Sequence, residues 1–222
     1  MDSNILQNIR THKLGAANAR EFGELQLALR EALAAIHTCE TYLAQLRTAT
    51  SPDTDKIRRT ARELADSYGV AGGIFRRMGA YEQALEMYNK GADLERDAEL
   101  RIENTYNLTN ALVTTIIADP HTFGQNRKAV EDVRQRVEKQ LQETRRQDWW
   151  AWADLGTLAL LEGNAKMAVS AYLRFRDQGA TSANCEKAAT VVREIGKALN
   201  TFAPDVARSS QEILHVLAPR PA

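Results

Sequence analysis

One segment of this chain recurs at an offset of 84 residues without a gap. The first copy is YGVAGGIFRRMGAYEQALEMYNKG at residues 68–91, and the second is WADLGTLALLEGNAKMAVSAYLRF at residues 152–175. Self-similarity of this kind means that one supersecondary unit is built more than once, so we expect a stack of repeats. The positions that coincide are Tyr68 with Trp152, Gly72 with Gly156, Gly79 with Gly163, Ala84 with Ala168, Leu85 with Val169 and Tyr88 with Tyr172.

The spacing of apolar residues predicts helices along most of the chain. Apolar residues fall three and four positions apart, and no segment alternates steadily with period two. Ser51 followed by Pro52, Asp148 and Pro204 mark helix starts, whereas Pro120 ends the helix before it. The predicted class is all-α, with about nine helices joined mostly as antiparallel hairpins. These helices cover about residues 22–46, 52–78, 81–96, 99–118, 126–146, 149–162, 165–177, 182–200 and 204–217.

Glycine and other small residues stand where two packed helices need them. Gly79 and Gly163 interrupt helical segments and predict tight turns with a left-handed backbone. Small residues such as Gly72 and Ala84 allow the two helices of a hairpin to approach closely, while large apolar residues fill the space around that contact.

The arrangement of aromatic, small and turn residues in both copies resembles the tetratricopeptide repeat. The resemblance implies an α-solenoid of antiparallel helical hairpins, in which the first helix of each hairpin lines a concave groove that binds other proteins. The residues that carry it are Tyr68, Gly72, Phe75, Gly79, Ala84 and Tyr88 in the first copy, and Trp152, Leu155, Gly156, Gly163, Ala168 and Tyr172 in the second.

This resemblance predicts a domain organisation with one irregular repeat. Residues 1–20 are expected to be a flexible segment, residues 21–218 a single helical domain, and residues 219–222 a tail. Within the domain, clear repeats at 65–98 and 149–182 flank a degenerate long repeat at 99–148, and capping helices occupy 21–48 and 182–218. The chain departs from the family where Arg96 and Ala180 replace a closing proline, and where Phe175 replaces a small residue.

No set of residues in the sequence predicts catalysis or a metal site. None of the four histidines has a second histidine at metal-ligand spacing, and neither HExxH nor a glycine-rich phosphate-binding motif occurs. Cys39 and Cys185 lack CxxC spacing and are expected to be small buried residues in a reducing compartment. We therefore expect a protein that is not an enzyme and that needs no cofactor.

The charge balance does not favour nucleic acid. Lysine plus arginine number 29, and aspartate plus glutamate also number 29. The arginine clusters are interleaved with acidic residues and lack an aromatic stacking platform. The N-terminus has no signal-peptide core, and no run approaches the roughly 20 apolar residues of a membrane helix. The expected location is the cytoplasm.

The family's groove positions give candidate partner-binding residues. Arg76 and Arg77 would pair with an acidic peptide or a C-terminal carboxylate, and Asn107 or Asn110 would hydrogen-bond its backbone. A full carboxylate clamp is not present, because Gly69 stands where its lysine is expected. Trp149 and Trp150 are not expected to face the same core, so one of them is a further candidate contact, although packing on the helix of residues 126–146 is the favoured alternative. The candidate partner-binding residues are Arg76, Arg77, Tyr106, Asn107, Asn110, Trp150 and Thr157.

These observations predict a non-catalytic adaptor or scaffold that binds a peptide segment or a partner helix in its groove, for example within a signalling or defence assembly. The alternative is a regulatory module that senses a small molecule or peptide in the same groove. A homodimer formed by an uncovered end helix is a further hypothesis. The residues leave open whether the groove or the end helices form the main binding surface.

Overall fold

The computed structural model describes residues 2–219, and this part of the chain contains ten α-helices, one 3-10 turn at Pro120–Thr122 and no β-strand. The all-α class and the helical hairpins predicted from the sequence are confirmed, with ten helices in place of about nine. The helices are α1 Asp2–Glu21, α2 Leu25–Thr48, α3 Thr54–Arg77, α4 Tyr81–Arg96, α5 Tyr106–Ala118, α6 Arg127–Glu143, α7 Trp149–Leu161, α8 Ala165–Asp177, α9 Ser182–Leu199 and α10 Pro204–Leu217.

The additional helix is α1, which corrects the prediction of a flexible segment at residues 1–20. Its apolar side, which includes Ile9 and Ala16, is buried in the same core as α2 and α3. Lys13 Nζ lies 2.8 Å from a Glu63 carboxylate oxygen and 3.3 Å from an Asp66 carboxylate oxygen of α3. Burial opposes the charge on Lys13, but the two carboxylates outweigh it and raise the pKa of the ammonium group. Met1 and residues 220–222, which include most of the predicted tail, lie outside the described residues.

The chain divides into two compact units, Met1–Ala111 and Leu112–Ala222, with the boundary inside α5. We call them the N-terminal unit and the C-terminal unit. The single domain expected over residues 21–218 stays a prediction.

The N-terminal unit consists of two hairpins and the start of α5. The hairpin α1/α2 packs against the hairpin α3/α4 through α2 and α3. Gly79 joins α3 to α4 with a φ of +75°, a conformation that costs little only for glycine. The core lies between α1, α2 and α3, where alanines and Cys39 permit close approach of the helices.

The C-terminal unit contains the hairpins α7/α8 and α9/α10, with α6 packed on α7 and α10 packed on α8. Gly163, with a φ of +77°, turns α7 into α8 as Gly79 does in the other unit. Phe175, Leu158 and Ile195 are fully buried in its core. Among the helices of residues 2–219, none is both long and apolar enough to cross a membrane.

Side-chain caps fix several helix starts. The Asp148 carboxylate accepts a hydrogen bond from the Trp150 N–H at 3.0 Å, which confirms Asp148 as the cap of α7. Asp53, rather than Ser51, caps α3 by accepting a bond from the Lys56 N–H at 3.0 Å. The helix predicted from residue 99 begins only at Tyr106, because Asn104 caps it through the N–H groups of residues 105 and 106.

Candidate functional site

The two sequence copies form equivalent hairpins with the same contact at their centres. A Cβ atom added to Gly72 of α3 would lie 2.8 Å from the ring of Tyr88 in α4. At Gly156 of α7 it would lie 2.7 Å from the ring of Tyr172 in α8. In each hairpin the tyrosine ring is fully buried against a bare stretch of helix backbone. These hairpins are tetratricopeptide-like.

The tetratricopeptide-like signature positions lie in the cores or turns for which the sequence predicted them. Ala84 and Ala168 are fully buried where the two helices of each hairpin meet. Phe75 is half-buried and contacts the cores formed by α3 and by α4. Leu155 is buried, and the Tyr68 hydroxyl donates a hydrogen bond to a Glu40 carboxylate oxygen.

Three of the candidate partner-binding residues meet on the surface of α3 and α5 in the N-terminal unit. Arg76 Nη1 donates to Asn110 Oδ1 at 3.3 Å, and Asn110 Nδ2 donates to the Tyr106 carbonyl oxygen at 2.8 Å. Arg76 and Tyr106 are each half-buried, whereas the neighbouring Arg77 is exposed. We call the surface formed by Arg76, Arg77, Tyr106 and Asn110 the α3–α5 face. Asn110 itself is buried and its amide bonds within the protein, which corrects its prediction as a partner-binding residue. The guanidinium groups are the part of this face that can bind a carboxylate.

Asn107 does not belong to that face, which corrects its prediction as a partner-binding residue. The side chain is fully buried, and its Nδ2 donates to the Ala65 carbonyl oxygen at 3.0 Å and to Glu95 Oε1 at 2.9 Å. Glu95 is also buried, and its carboxylate accepts the N–H groups of Asn107 and Leu108 at 3.1 Å each. A buried carboxylate therefore caps the N-terminus of α5, where the helix dipole favours negative charge.

Thr157 is likewise structural rather than available to a partner. Its hydroxyl donates to the Ala153 carbonyl oxygen at 2.9 Å and lies 2.7 Å from the Tyr172 hydroxyl. Because the single threonine proton is used on Ala153, the Tyr172 hydroxyl donates to Thr157. Burial raises the pKa of Tyr172, so this hydroxyl keeps its proton.

Replacing Thr157 with valine should destabilise the C-terminal unit by about 1–2 kcal/mol, because the buried Tyr172 hydroxyl loses its acceptor. Urea denaturation followed by tryptophan fluorescence would measure this, since all three tryptophans lie in that unit. Thr190→Val is the matched control, because its hydroxyl makes the same type of bond, to the Glu186 carbonyl oxygen, in contact with solvent. An equal loss in both variants would contradict the buried role of Thr157.

The tryptophans at the start of α7 gather around Phe175 of α8. The ring centres of Trp149 and Trp150 lie 4.6 Å apart and 5.6 and 5.5 Å from that of Phe175. Both tryptophans therefore contact one core, which corrects the expectation that they cannot. Phe175, in place of the usual small residue, supplies the ring that both tryptophans contact. Trp150 is half-buried, and Trp152 is half-buried beneath the Arg174 guanidinium, 5.5 Å from the ring centre.

Sequence reasoning did not single out Glu95 or the Tyr88 hydroxyl. A glutamate near the end of a helix is usually a solvated residue, so only its distance from the start of α5 in three dimensions reveals its role. Tyr88 was assigned from its ring alone, and nothing in the repeat pattern indicates where its hydroxyl points.

Each unit also carries open clefts. A cleft of about 500 Å³ in the N-terminal unit is lined by α2, α3 and α4, including Glu40, Arg47 and Tyr68. A cleft of about 550 Å³ in the C-terminal unit lies between α9 and α10, with Arg193 and Lys197 in its lining. Within residues 2–219, no three histidine, cysteine, aspartate or glutamate side chains converge as metal ligands.

Comparison with known proteins found similarity only among solved structures. No protein-family model matches the chain, and no curated protein matches it. A kinesin light chain-type protein of Podosopora anserina with nearly identical TPR-like repeats is 17% identical, with 94% of this chain and 93% of that chain covered and a TM-score of 0.44. BtubC (BKLC) from P. vanneervenii is 13% identical, with coverages of 98% and 95% and a TM-score of 0.41. The TPR2AB domain of yeast Sti1, in a complex with pHSP90, is 11% identical, with coverages of 95% and 98% and a TM-score of 0.19. The hairpin geometry, rather than these superpositions, carries the tetratricopeptide-like assignment.

Proposed function

We propose that this protein is a non-catalytic interaction module that binds an acidic peptide segment of a partner protein on the α3–α5 face. The observation that carries the proposal is the bond between Arg76 Nη1 and Asn110 Oδ1, which holds a half-buried guanidinium between two helices. A side chain held in this way loses little conformational entropy when it pairs with a ligand. Arg77, exposed beside it, adds a second positive charge.

The two clefts described above are open and lie away from the α3–α5 face, so neither of them favours the alternative of an enclosed small-molecule site. Adaptor or scaffold activity, without a catalytic step, is the role that such a surface supports best. We place the protein in the cytoplasm, because its two cysteines, Cys39 and Cys185, are buried free thiols, as is usual in a reducing compartment.

Replacing both Arg76 and Arg77 with glutamine should weaken peptide binding about tenfold or more, because two charge-assisted contacts are lost. Peptides selected from a displayed random library on the intact chain would serve as ligands, with affinity measured by fluorescence anisotropy. The matched control is Arg127→Gln/Lys128→Gln, which removes the same charge from an exposed pair on α6.

Equal affinity of the two double variants would contradict the proposal. If both double variants still bound the peptides, the binding surface would lie elsewhere on the protein. The next candidate surface would be the end hairpin α1/α2, where Phe22 is 83% exposed and Leu14 is 62% exposed. The hypothesis to test there would be a homodimer formed through this hairpin.

A further inference from the structure

The cleft between α9 and α10 of the C-terminal unit carries positive charge on both of its walls. Arg193 and Lys197 line it from α9, and Arg208 lines it from α10. Among the described residues that line this cleft, none is acidic. Because the chain as a whole has 29 basic and 29 acidic residues, three cations without an acid are a local departure from its charge balance.

Small residues form the floor of the cleft. Gly196 of α9 and Ala207 of α10 are buried where the two helices meet, and a Cβ atom added to Gly196 would collide with Ser210 Oγ. That hydroxyl donates to the Ala207 carbonyl oxygen at 2.7 Å. The two helices therefore lie close together at the floor, and the long cationic side chains surround an open space of about 550 Å³ above it.

Acidic residues outside the lining pair with the two arginines. Arg193 Nη2 lies 2.8 Å from Glu186 Oε1, and Arg208 Nη1 lies 3.4 Å from Asp205 Oδ1. Both pairs are exposed, since 49% of the Arg193 side chain and 75% of the Arg208 side chain are accessible to solvent. Exposed pairs contribute little energy, so both guanidinium groups can still bind a more strongly charged anion.

The N-terminus of α10 adds hydrogen-bond donors at one end of the cleft. Pro204 is the first residue of α10 and lines the cleft. The residue before it, Ala203, makes no side-chain cap, and the acidic residue of the first turn, Asp205, pairs with Arg208. Backbone N–H groups without a side-chain cap, at the positive end of a helix dipole, favour a phosphate group.

The length and charge of the cleft match a compact phosphate ligand better than an acidic peptide. Arg193 and Asn200, both in the lining, are seven residues apart, so the cleft extends along α9 for about 10 Å. A phosphate group carries about two negative charges near neutral pH, twice the charge of a carboxylate. A peptide with several carboxylates would extend past the cleft towards Glu186 and Asp205, which would repel it.

We propose that the α9/α10 cleft binds the diphosphate group of a small phosphorylated ligand, with Arg193, Lys197 and Arg208 as its cationic donors. The side-chain amides of Asn200 and Gln211, which also line the cleft, are further donors. An open cleft holds such a group by charge rather than by enclosure. The inference goes beyond peptide binding on the α3–α5 face and does not depend on it, because it concerns other residues and another chemical group.

The first test is isothermal titration calorimetry of the intact chain with pyrophosphate. We expect one saturable site with a dissociation constant of about 1 mM or tighter. Arg193→Gln/Lys197→Gln should weaken binding about tenfold or more, because two charge-assisted contacts are lost. Arg127→Gln/Lys128→Gln, an exposed pair of the same residue types in the same unit, should bind as the wild type does.

All four substituted residues are exposed, so both double variants should keep the circular dichroism spectrum of the wild type. The absence of a saturable site in the wild type would overturn the inference. Equal affinity of the two double variants would overturn it as well.

Removal of a competing acid gives a test in the opposite direction. Glu186→Gln should strengthen pyrophosphate binding about twofold or more, because Arg193 no longer pairs with a carboxylate. Glu131→Gln is the matched control, since Glu131 pairs with Lys128 at 3.3 Å on another exposed surface of the same unit. Unchanged or weaker binding in Glu186→Gln would show that Arg193 does not contact the ligand and would overturn the site.

Other anions then separate the possible ligands. Pyrophosphate should bind about tenfold more tightly than orthophosphate, because only the diphosphate reaches both walls. A nucleoside diphosphate that binds at least as tightly would identify a nucleotide, whereas weaker binding of all nucleoside diphosphates would identify the free diphosphate ion. Both results support the site. Equal binding of orthophosphate, or tighter binding of hexaglutamate or single-stranded RNA than of pyrophosphate, would overturn it.

Discussion

Replacement of Gly91 with alanine should destabilise the N-terminal unit by about 3 kcal/mol, because the new methyl group overpacks the core and breaks a buried hydrogen bond. A Cβ atom at this position would lie 2.6 Å from both Nδ2 and Oδ1 of Asn107. Asn107 cannot rotate away without losing its bonds to the Ala65 carbonyl oxygen and to Glu95. The new methyl group therefore displaces a side chain that orders the junction of α3, α4 and α5.

Urea denaturation followed by circular dichroism would measure this change, because tryptophan fluorescence reports only on the C-terminal unit. Gly73→Ala is the control, since it makes the same substitution in a helix of the same unit where a Cβ fits. If Gly91→Ala were as stable as the wild type, the burial of Asn107 against α4 would be contradicted.

Replacing Glu95 with alanine should cost about 3 kcal/mol as well, because three N–H groups lose their acceptor at a site away from water. These groups are the Asn107 and Leu108 backbone N–H and Asn107 Nδ2. Their carboxylate partner is only 1% exposed. The N-terminus of α5 also loses the negative charge that its dipole favours.

Glu86→Ala is the matched control on the same helix, because Glu86 makes only an exposed ion pair with Lys90 and should change stability by less than about 0.5 kcal/mol. The double variant Glu95→Ala/Gly91→Ala should lose less than the sum of the single losses, since both changes act on Asn107. Additive losses, or a Glu95 variant no less stable than the control, would show that the carboxylate does not organise this junction.

The course of the chain within each hairpin could be predicted because it depends on local chemistry. Gly79 and Gly163 turn the chain with positive φ, as their place between two helical segments predicted. The close approach at Gly72 and Gly156 followed from the repeated pairing of a glycine with a later tyrosine. The start of α7 at Asp148 followed from the preference of helix ends for such residues.

The candidate site could be predicted only in part. The repeat pattern indicates which face of a helix a residue occupies, but not how deeply its side chain is buried. Arg76, Tyr106 and Asn110 come together as expected from their positions on α3 and α5. Asn107, Asn110 and Thr157 were assigned to the same kind of surface and are buried. Whether a polar residue near the edge of a face meets solvent or a neighbouring helix depends on where that neighbour lies.

The sequence by itself determined the class of the fold, the hairpins and their glycine turns, because helix period, capping and backbone conformation act over a few neighbouring residues. Only the tertiary structure decided that α1 docks through Lys13, that Glu95 caps a helix eleven residues further along, and that Phe175 joins two tryptophans in one core. It also showed that Gly73, unlike Gly72, has room for a side chain. Each of these depends on contacts between separate helices. The spacing of residues within one helix contains no information about how far that helix lies from another.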